Sequence, residues 1–344
     1  MDINHPAHVH FFKNLIWALQ EKGHRVLITV KDKEIACYLL DALKFPYIKL
    51  GKHSKTLLGK LISIPAMDWR MYRAVKDFKP DLFLGLASVR AAHVASFLKK
   101  QCINFDDTEN GVAELRLYLP FVSFVCTPSC YQKNLGAKQI RYDGYHELAY
   151  LHPSRFKPDP AVLNLLGVKS DEKYVIVRFV SWQAVHDIGH KGFSLAMKRK
   201  AVKEFAKYAK VFITSEGPLP KDLESFRLQI PAEKVHSALY YATLLFGESA
   251  TMASESAVLA TPAIYLDNEG RGYTDEEEKT YGLVFNFKES PEDQERSVQK
   301  GIEILKQDYA SVKEVWRKKT QKLLQDKIDV TAWIENFINQ ALRP

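Results

Sequence analysis

The chain has only four cysteines among its 344 residues. This number is too small for the disulfide framework that stabilises many secreted domains. Cys126 and Cys130 are four residues apart, but no second Cys/His pair accompanies them, so the spacing of a structural zinc site is missing as well. The sequence therefore predicts buried thiols in a reducing cytoplasm and no bound metal.

Long apolar runs and nucleic-acid signatures are also missing. No segment reaches the roughly 18 to 20 consecutive apolar residues that a membrane-spanning helix needs. No RNA-binding signature or long basic run is present, so we expect no nucleic-acid partner. Hydrophobic residues make up 46% of the chain and its formal net charge is +8. We therefore expect two buried cores, and a basic surface that suits an anionic ligand or the inner face of a membrane.

Short apolar runs alternate with helical segments along the chain, which predicts an α/β fold with parallel, doubly wound sheets. Phe121 to Cys126 is predicted as the last strand of the first half. The segment from Tyr145 to Pro160 has three prolines and no clear periodicity, which predicts a linker. The predicted organisation is a first domain over residues 1–150, a second over 151–330 and a terminal helix over 331–344.

The stretch from Leu244 to Asp267 reads as strand, turn, helix and strand. Gly247 permits a sharp turn, and small residues after it leave backbone N–H groups at the helix start open to an anion such as phosphate. Glu255, one turn further, lies near enough to reach hydroxyls beside that phosphate. The alternative is an ordinary βαβ unit whose small residues only allow close packing. The candidate contacts around the turn are Ser249, Ala250, Thr251 and Met252.

Three histidines, His5, His8 and His10, fall within six residues of each other after the expected first strand. Ligands meet an open α/β sheet at the carboxyl ends of its strands. An imidazole there can act as a general base or hold a phosphate. A metal site would need carboxylate or thiolate ligands that are not nearby, and packing or capping roles remain open.

An acidic loop with Asp106, Asp107 and Glu109 follows a predicted strand. Clustered carboxylates raise each other's pKa, which makes one of them a candidate acid or base. A solvated turn is the alternative interpretation.

Four further residues are candidate ligand contacts in the second half. Arg178 lies in an apolar strand, where an arginine usually has an anionic partner. Ser181 follows the end of that strand, and His236 precedes the stretch that begins at Leu244. Arg271 lies in a glycine-rich loop and is a candidate phosphate or sugar contact.

Two motifs carry a resemblance to a known family. The segments from Asp2 to Phe12 and from Gly247 to Glu255 resemble an archaeal and bacterial family without an assigned reaction in the GT-B glycosyltransferase superfamily. The second segment is similar to the nucleotide-sugar site of the lipid II-forming transferase and of UDP-N-acetylglucosamine 2-epimerases, although Ser249, Ala250 and Thr251 stand where those families usually carry glycine. The resemblance implies two Rossmann-like domains around a cleft, with a final helix that can cross back to the first domain.

The resemblance also implies roles for the candidate residues. Glu255 takes the ribose position and Ser181 a diphosphate position. His8 faces the acceptor and diphosphate, with Asn4 and His5 as second choices. In the acidic loop the catalytic candidate is Glu109, followed by Asp107.

The expected function is glycosyl transfer from a nucleotide diphosphate sugar, most simply a UDP-sugar, in cell-envelope or polysaccharide synthesis. The acceptor can be lipid-linked at the membrane surface, and the sugar nucleotide is a substrate, so no cofactor is expected. An alternative is a UDP-N-acetylglucosamine 2-epimerase-like epimerase or hydrolase that uses the acidic loop. A non-catalytic sugar-nucleotide-binding protein is the third hypothesis.

The first strand is expected to be unusually short. A central strand needs roughly five residues to cross a sheet, but only Met1, Asp2 and Ile3 precede the histidine loop. We therefore expect that the chain starts late, through a misplaced start codon or as a fragment, and that its first strand has about three residues or fewer. A chain extended upstream is expected to be more stable.

Overall fold

The structure is a computed structural model that describes residues 1–51, 57–180 and 192–342, with the backbone alone for 57–62. The chain divides into two compact units. Unit 1 comprises Met1–Tyr150 and Ile328–Pro344, and unit 2 comprises Leu151–Lys327.

Unit 1 is built from a seven-stranded parallel sheet with helices between the strands. Its strands are β1 (Asp2–Ile3), β2 (Ile28–Val30), β3 (Tyr47–Lys49), β4 (Leu82–Leu86), β5 (Gln101–Phe105), β6 (Phe124–Pro128) and β7 (Gln139–Tyr142). Apart from the last helix of the chain, its helices are α1 (Pro6–Glu21), α2 (Glu34–Ala42), α3 (Leu57–Val75), α4 (Val89–Phe97), α5 (Val112–Tyr118) and α6 (Leu148–Leu151).

The strands of this sheet have the order β3-β2-β1-β4-β5-β6-β7. β1 is two residues long, within the predicted limit, and its Asp2 lies beside both Thr29 and Gly85. Apolar side chains of α3 and α4, such as Met71 and Ala95, pack on the sheet. The strand at the centre of the sheet therefore places the start of α1, which carries the histidines, between two neighbouring strand ends.

Unit 2 contains a five-stranded parallel sheet in the order β12-β11-β10-β8-β9. Its strands are β8 (Tyr174–Phe179), β9 (Lys210–Ser215), β10 (Leu244–Gly247), β11 (Ala263–Leu266) and β12 (Val284–Phe287). Its helices are α7 (Ala161–Leu166), α8 (Leu195–Phe205), α9 (Val235–Tyr241), α10 (Ala250–Val258), α11 (Gly272–Lys279), α12 (Pro291–Lys306) and α13 (Tyr309–Asp326).

The last helix, α14 (Val330–Ala341), belongs to unit 1. The side chains of Asn14 in α1 and Thr331 in α14 both donate hydrogen bonds to the backbone oxygen of Ala149, at 2.8 and 2.7 Å. Lys22 and Glu335 add an ion pair between the same two helices. A shared backbone acceptor thus fixes α14 against the N-terminal helix.

Three predictions about elements were wrong. Phe121 to Cys126 is not the last strand of the first half, because β7 pairs beyond β6 at the edge of the sheet. The first part of the predicted linker from Tyr145 to Pro160 is buried and contains α6, since Tyr145, Leu148 and Ala149 are inaccessible to solvent. The histidines do not lie in a loop, because α1 begins at Pro6 and contains His8 and His10. Arg271, in contrast, precedes α11 as its non-helical N-cap.

Among the residues that the structure describes, no helix is long and apolar enough to cross a membrane. Within the same residues, no group of three or more His, Cys, Asp and Glu side chains is arranged to hold a metal ion.

Candidate functional site

Each sheet has a point at which the order of its strands reverses. In unit 1 this point lies between β1 and β4, and in unit 2 it lies between β8 and β10. Loops leaving the carboxyl ends of such strand pairs diverge to opposite sides and leave room for a ligand. The two motifs singled out in the sequence span the ends of β1 and β10 and the starts of the helices that follow, α1 and α10.

A buried ion pair lies at the reversal point of unit 1. Asp2 is inaccessible to solvent, and its carboxylate pairs with Arg90 at 2.9 Å. Ser88 and Thr29 donate further hydrogen bonds to it, at 2.5 and 2.8 Å. Burial would raise the pKa of Asp2, but the Arg90 guanidinium and these hydroxyl donors outweigh it and lower the pKa. Arg90 also donates to the side-chain oxygen of Asn4, which fixes the Asn4 amide.

His5 and His8 have different local roles. His5 is exposed and is the N-cap of α1, where its Nδ1 accepts the backbone N–H of Ala7 at 3.3 Å. The Nδ1 of His8 accepts the backbone N–H of Asn4, also at 3.3 Å. Loss of hydration, followed by the charge of the neighbouring His5, lowers the pKa of His8 to about 3. His8 is therefore a neutral imidazole that carries its proton on Nε2 and can donate a hydrogen bond from there.

The acidic loop follows β5, at the carboxyl edge of the same sheet. Asp106 is buried and accepts hydrogen bonds from the hydroxyl of Tyr118 and the backbone N–H of Thr108. Burial raises the pKa of Asp106 to about 6 against these two donors. Its carboxyl group therefore exchanges a proton near neutral pH.

The two predicted catalytic carboxylates of this loop have separate partners. The carboxylate of Asp107 contacts the Nδ1 of His146 at 2.8 Å. An oxygen of Glu109 accepts the backbone N–H of Gln132 at 3.3 Å. His146 was not predicted as a site residue, because it lies in the segment that was predicted as a linker. The sequence signal that was available is a histidine next to an acidic residue after a short strand, Tyr145-His146-Glu147.

In unit 2, the turn after β10 is built by close backbone contact. Gly247 is the last residue of β10, and a Cβ atom on it would lie 2.4 Å from the backbone oxygen of Arg178. Its role is therefore to allow the two strands to approach, and not the sharp turn that was predicted. Ser249 is the N-cap of α10, and its hydroxyl accepts the N–H of Met252. Ala250 and Thr251, which begin the helix, contribute the positive end of the helix dipole.

Glu255 and His236 form a buried pair in this unit. The Nε2 of His236 lies 2.9 Å from an oxygen of Glu255, and both side chains are almost completely buried. His236 lies in α9 and Glu255 in the second turn of α10, so the pair joins the two helices next to the reversal point. The structure thus brings together two residues that the sequence analysis considered separately.

The two candidate arginines are held by carboxylates of the protein. Arg178 pairs with Glu216 at 2.6 Å and donates to the hydroxyl of Thr214. Arg271 donates to the backbone oxygen of Gly270 at 2.6 Å and lies 3.5 Å from an oxygen of Asp267. The anionic partner expected for Arg178 is therefore found within the protein. The candidate Ser181 lies outside the described residues.

Two buried glutamates near this edge were missed. The oxygens of Glu248 accept the backbone N–H groups of Val180 and Phe193, at 2.8 and 2.6 Å. Glu277 is inaccessible to solvent and accepts a hydrogen bond from Ser254 at 2.5 Å. Burial raises the pKa of Glu277 to about 8, so its carboxyl group is mostly protonated at neutral pH. Neither residue has a local sequence signal, because its partners are distant in the sequence. Val180 and Phe193 lie in loops, and Ser254 lies in α10.

Comparisons with known proteins agree with this architecture. A family model described as protein of unknown function (DUF354) matches residues 1–270. Uncharacterized protein MJ0665 of Methanocaldococcus jannaschii is 26% identical over 276 residues, which are 77% of this chain and 80% of that protein.

Solved structures share the fold at low sequence identity. A UDP-GlcNAc 2-epimerase from Neisseria meningitidis bound to UDP-GlcNAc matches with a TM-score of 0.62 and 13% identity, over 94% of this chain and 98% of that one. The spinosyn rhamnosyltransferase SpnG complexed with thymidine diphosphate matches with a TM-score of 0.64 and 12% identity, over 98% of both chains. The fold is therefore that of GT-B glycosyltransferases and UDP-GlcNAc 2-epimerases, an α/β fold with two parallel sheets.

Proposed function

The chain belongs to the DUF354 family of proteins of unknown function, and we propose that it is a nucleotide-sugar-dependent glycosyltransferase of the GT-B type. The donor is a UDP-sugar, and the reaction serves cell-envelope or polysaccharide synthesis. The observation that carries the proposal is the start of α10, where a capped helix N-terminus and the Glu255–His236 pair adjoin the reversal point of a parallel sheet.

The start of α10 suits the diphosphate of such a donor. A helix N-terminus combines N–H donors with the positive end of the dipole, and it binds phosphate without a metal ion. Ser249, Ala250, Thr251 and Met252 form this first turn. We assign Arg271 a supporting contact with the donor. In unit 1 we assign His8 as a hydrogen-bond donor through Nε2, because its Nδ1 already accepts the N–H of Asn4.

Glu255 is assigned to the ribose hydroxyls. A carboxylate accepts hydrogen bonds from two vicinal hydroxyls, and the imidazole of His236 holds this carboxylate in place at 2.9 Å. Both structural neighbours described above are bound to molecules that contain a nucleoside diphosphate, in accord with a nucleotide ligand. Glu255 therefore anchors the nucleotide, whichever sugar it carries.

The first test is the variant Glu255→Gln, measured by calorimetry with UDP. The amide oxygen can still accept the hydrogen bond from His236, so the fold stays intact while the charge is lost. Charge-assisted hydrogen bonds contribute roughly 1.5 to 3 kcal/mol, and we expect UDP affinity to fall about tenfold or more. Glu303→Gln, at an exposed ion pair with Lys300 in α12, is the matched control and should bind UDP as the wild type does. Equal affinity of Glu255→Gln and wild type would remove the ribose assignment.

A second candidate function is epimerisation or hydrolysis of the same UDP-sugar. Asp106 favours it, because the raised pKa of this carboxyl, about 6, suits proton exchange with a sugar carbon or a water molecule. Incubation of the wild type with UDP-N-acetylglucosamine and no acceptor separates the candidates. An epimerised or hydrolysed sugar would favour the second candidate. A donor that stays unchanged without an acceptor, and is consumed when an acceptor alcohol is added, supports transfer.

We propose a lipid-linked acceptor at an anionic membrane surface. Trp69 and Phe97 are 59% and 73% exposed. The ring of Tyr72 in α3 contacts both of these aromatic rings. Arg73 in the same helix and Lys76, just after its end, are exposed. Aromatic rings and basic side chains together favour the interface of an anionic bilayer.

Sedimentation with phosphatidylglycerol vesicles tests this partner. The double variant Trp69→Ser/Phe97→Ser should lose most vesicle binding, because it removes the two exposed rings. Trp17→Ser, which changes another exposed aromatic residue, is the control and should sediment like the wild type. Equal sedimentation of the double variant and the control would exclude this surface as the membrane contact.

A further inference from the structure

Unit 1 contains two aspartate–histidine pairs that differ at the second ring nitrogen. His93 contacts Asp68 through Nδ1 at 2.8 Å, and its Nε2 lies 3.0 Å from the backbone oxygen of Leu117. His146 contacts Asp107 through Nδ1 at the same distance of 2.8 Å. Its Nε2 is buried and has no hydrogen-bond partner in the described part of the chain. In the first pair, the complete pair, both ring nitrogens thus have partners, whereas in the second the Nε2 has none in the described residues.

The contact with Asp107 decides which nitrogen of His146 carries the proton. A carboxylate accepts hydrogen bonds, so Nδ1 holds the proton and Nε2 has a lone pair. His146 is only 6% exposed, and the ring of Phe11 packs against it at a centroid distance of 4.7 Å. The ring of Tyr142 lies nearly parallel to the His146 ring at a centroid distance of 6.4 Å. The ring is therefore held in one orientation, with a lone-pair nitrogen that no described residue contacts.

Two further polar atoms without partners lie at the same edge of the sheet. Within the described residues, the hydroxyl groups of Tyr131 and Tyr142 are buried and make no hydrogen bond. Tyr131 follows β6, and burial together with the charges of Asp106, Glu109 and Asp107 raises its pKa. Buried polar groups almost always have a partner, and exceptions concentrate at sites that receive a ligand. Three such atoms beside one acidic loop indicate a site prepared for a polar ligand.

We infer that His146 is the general base of the transfer reaction and that Asp107 is its positioning residue. This inference rests on the proposed glycosyltransferase function. Nε2 of His146 takes the proton from the acceptor hydroxyl while the oxygen of that hydroxyl forms a bond to the anomeric carbon of the sugar. The bond between that carbon and the diphosphate oxygen breaks, and UDP leaves with the electron pair. The proton on His146 then passes to solvent.

The other candidates are less suited to this role. His8 has its Nδ1 occupied by the N–H of Asn4, so its second nitrogen carries a proton and cannot accept another. Glu109 accepts a backbone N–H from Gln132. Asp107, a predicted catalytic residue, acts through the imidazole in this assignment and does not touch the substrate.

The variant His146→Gln tests the assignment through UDP release and UDP binding. General-base catalysis contributes about 10²- to 10⁴-fold in rate. We expect UDP release from the UDP-sugar that the wild type consumes to fall at least about 100-fold, whereas calorimetric affinity for UDP stays within about twofold. His93→Gln changes the complete pair and is the matched control, which should keep wild-type turnover. Wild-type turnover by His146→Gln, with UDP still bound, would overturn the inference and leave the proposed function standing.

A second measurement does not depend on the substrate. Nitrogen-15 NMR of the histidine rings should show His146 protonated on Nδ1 in the wild type. In Asp107→Asn the amide can donate to Nδ1, so we expect the proton to move to Nε2 and kcat to fall while KM changes little. A wild-type His146 protonated on Nε2 would overturn the inference. A wild type that binds no UDP would instead contradict the proposed function.

Discussion

Asp2 in unit 1 and Glu277 in unit 2 are both 0% exposed, yet their surroundings place them in opposite protonation states. Asp2 has the Arg90 guanidinium and two hydroxyl donors, and its pKa is lowered. Glu277 has the hydroxyl of Ser254, while its second oxygen has no partner in the described residues. Its pKa is raised to about 8 by burial. The comparison shows that the partners, and not the depth of burial, decide whether a buried carboxyl is charged.

The carboxyl edges of the two sheets also differ in how far their buried polar groups have partners. The edge of unit 1 combines a satisfied ion pair at the reversal point with an imidazole nitrogen and two tyrosine hydroxyls without partners in the described structure. The edge of unit 2 is arranged around carboxylates that hold protein groups, with Glu248 on two backbone N–H groups and Glu255 on His236. This arrangement suits proton transfer in unit 1 and a fixed anion-binding helix start in unit 2.

Removing the carboxylate of Asp2 should lower the stability of the fold by the largest amount at pH 7. Asp2→Ala leaves the Arg90 guanidinium buried without its carboxylate, and breaking a buried ion pair costs about 3 to 5 kcal/mol. We expect the free energy of unfolding, measured in urea at pH 7, to fall by that amount. The stability from Asp2 is present above its unfolded pKa and is lost as the pH falls through its lower folded pKa.

The control for Asp2 is Asp81→Ala, which removes an exposed ion pair with Lys100 in the same unit. Exposed pairs contribute about 0 to 1 kcal/mol, so this variant should unfold almost as the wild type does. A loss below about 1 kcal/mol in Asp2→Ala would show that the pair at the centre of the sheet is not required for stability.

Glu277 should have an effect that appears only as the pH changes. Its folded pKa of about 8 lies above the unfolded value of 4.5, so the folded state binds the proton more tightly. Its contribution is complete below pH 4.5 and is lost as the pH rises through 8, with a slope of about 1.4 kcal/mol per pH unit between these values. Glu277→Gln keeps a neutral side chain at every pH and should remove this slope from the unfolding free energy between pH 5 and 8.

The difference between wild type and Glu277→Gln isolates this residue from other titrating groups. Glu303→Gln, at the exposed pair with Lys300, should keep the full wild-type slope. Parallel curves for wild type and Glu277→Gln would mean that Glu277 is ionised when folded, as Asp2 is.

Local patterns were sufficient to predict much of the fold. The predicted alternation of strands and helices is found in both units, because strands buried on both faces, such as β8 and β11, read as continuous apolar runs. β7 was missed, since this edge strand carries the polar residues Gln139 and Arg141 and has no such run. The start of α10 was predicted because a cap and a helix are specified by neighbouring residues.

The candidate site could be predicted only in part. The sequence identified Glu255, His236 and Asp107 as candidates, since each lies at a predicted loop or helix start. It did not indicate that His236 holds Glu255, or that His146 holds Asp107. These pairings join elements that meet only when the parallel strands align their carboxyl ends.

By itself, the sequence determined the alternation of strands and helices and the short first strand, because these depend on residues close together in the chain. The tertiary structure alone decided which polar groups are charged, paired or left without a partner. Arg90 reaches Asp2 across 88 residues of sequence. A carboxyl or imidazole group takes its protonation state from whatever the fold places within a few ångströms of it, and the residues adjoining it in sequence do not specify that neighbourhood.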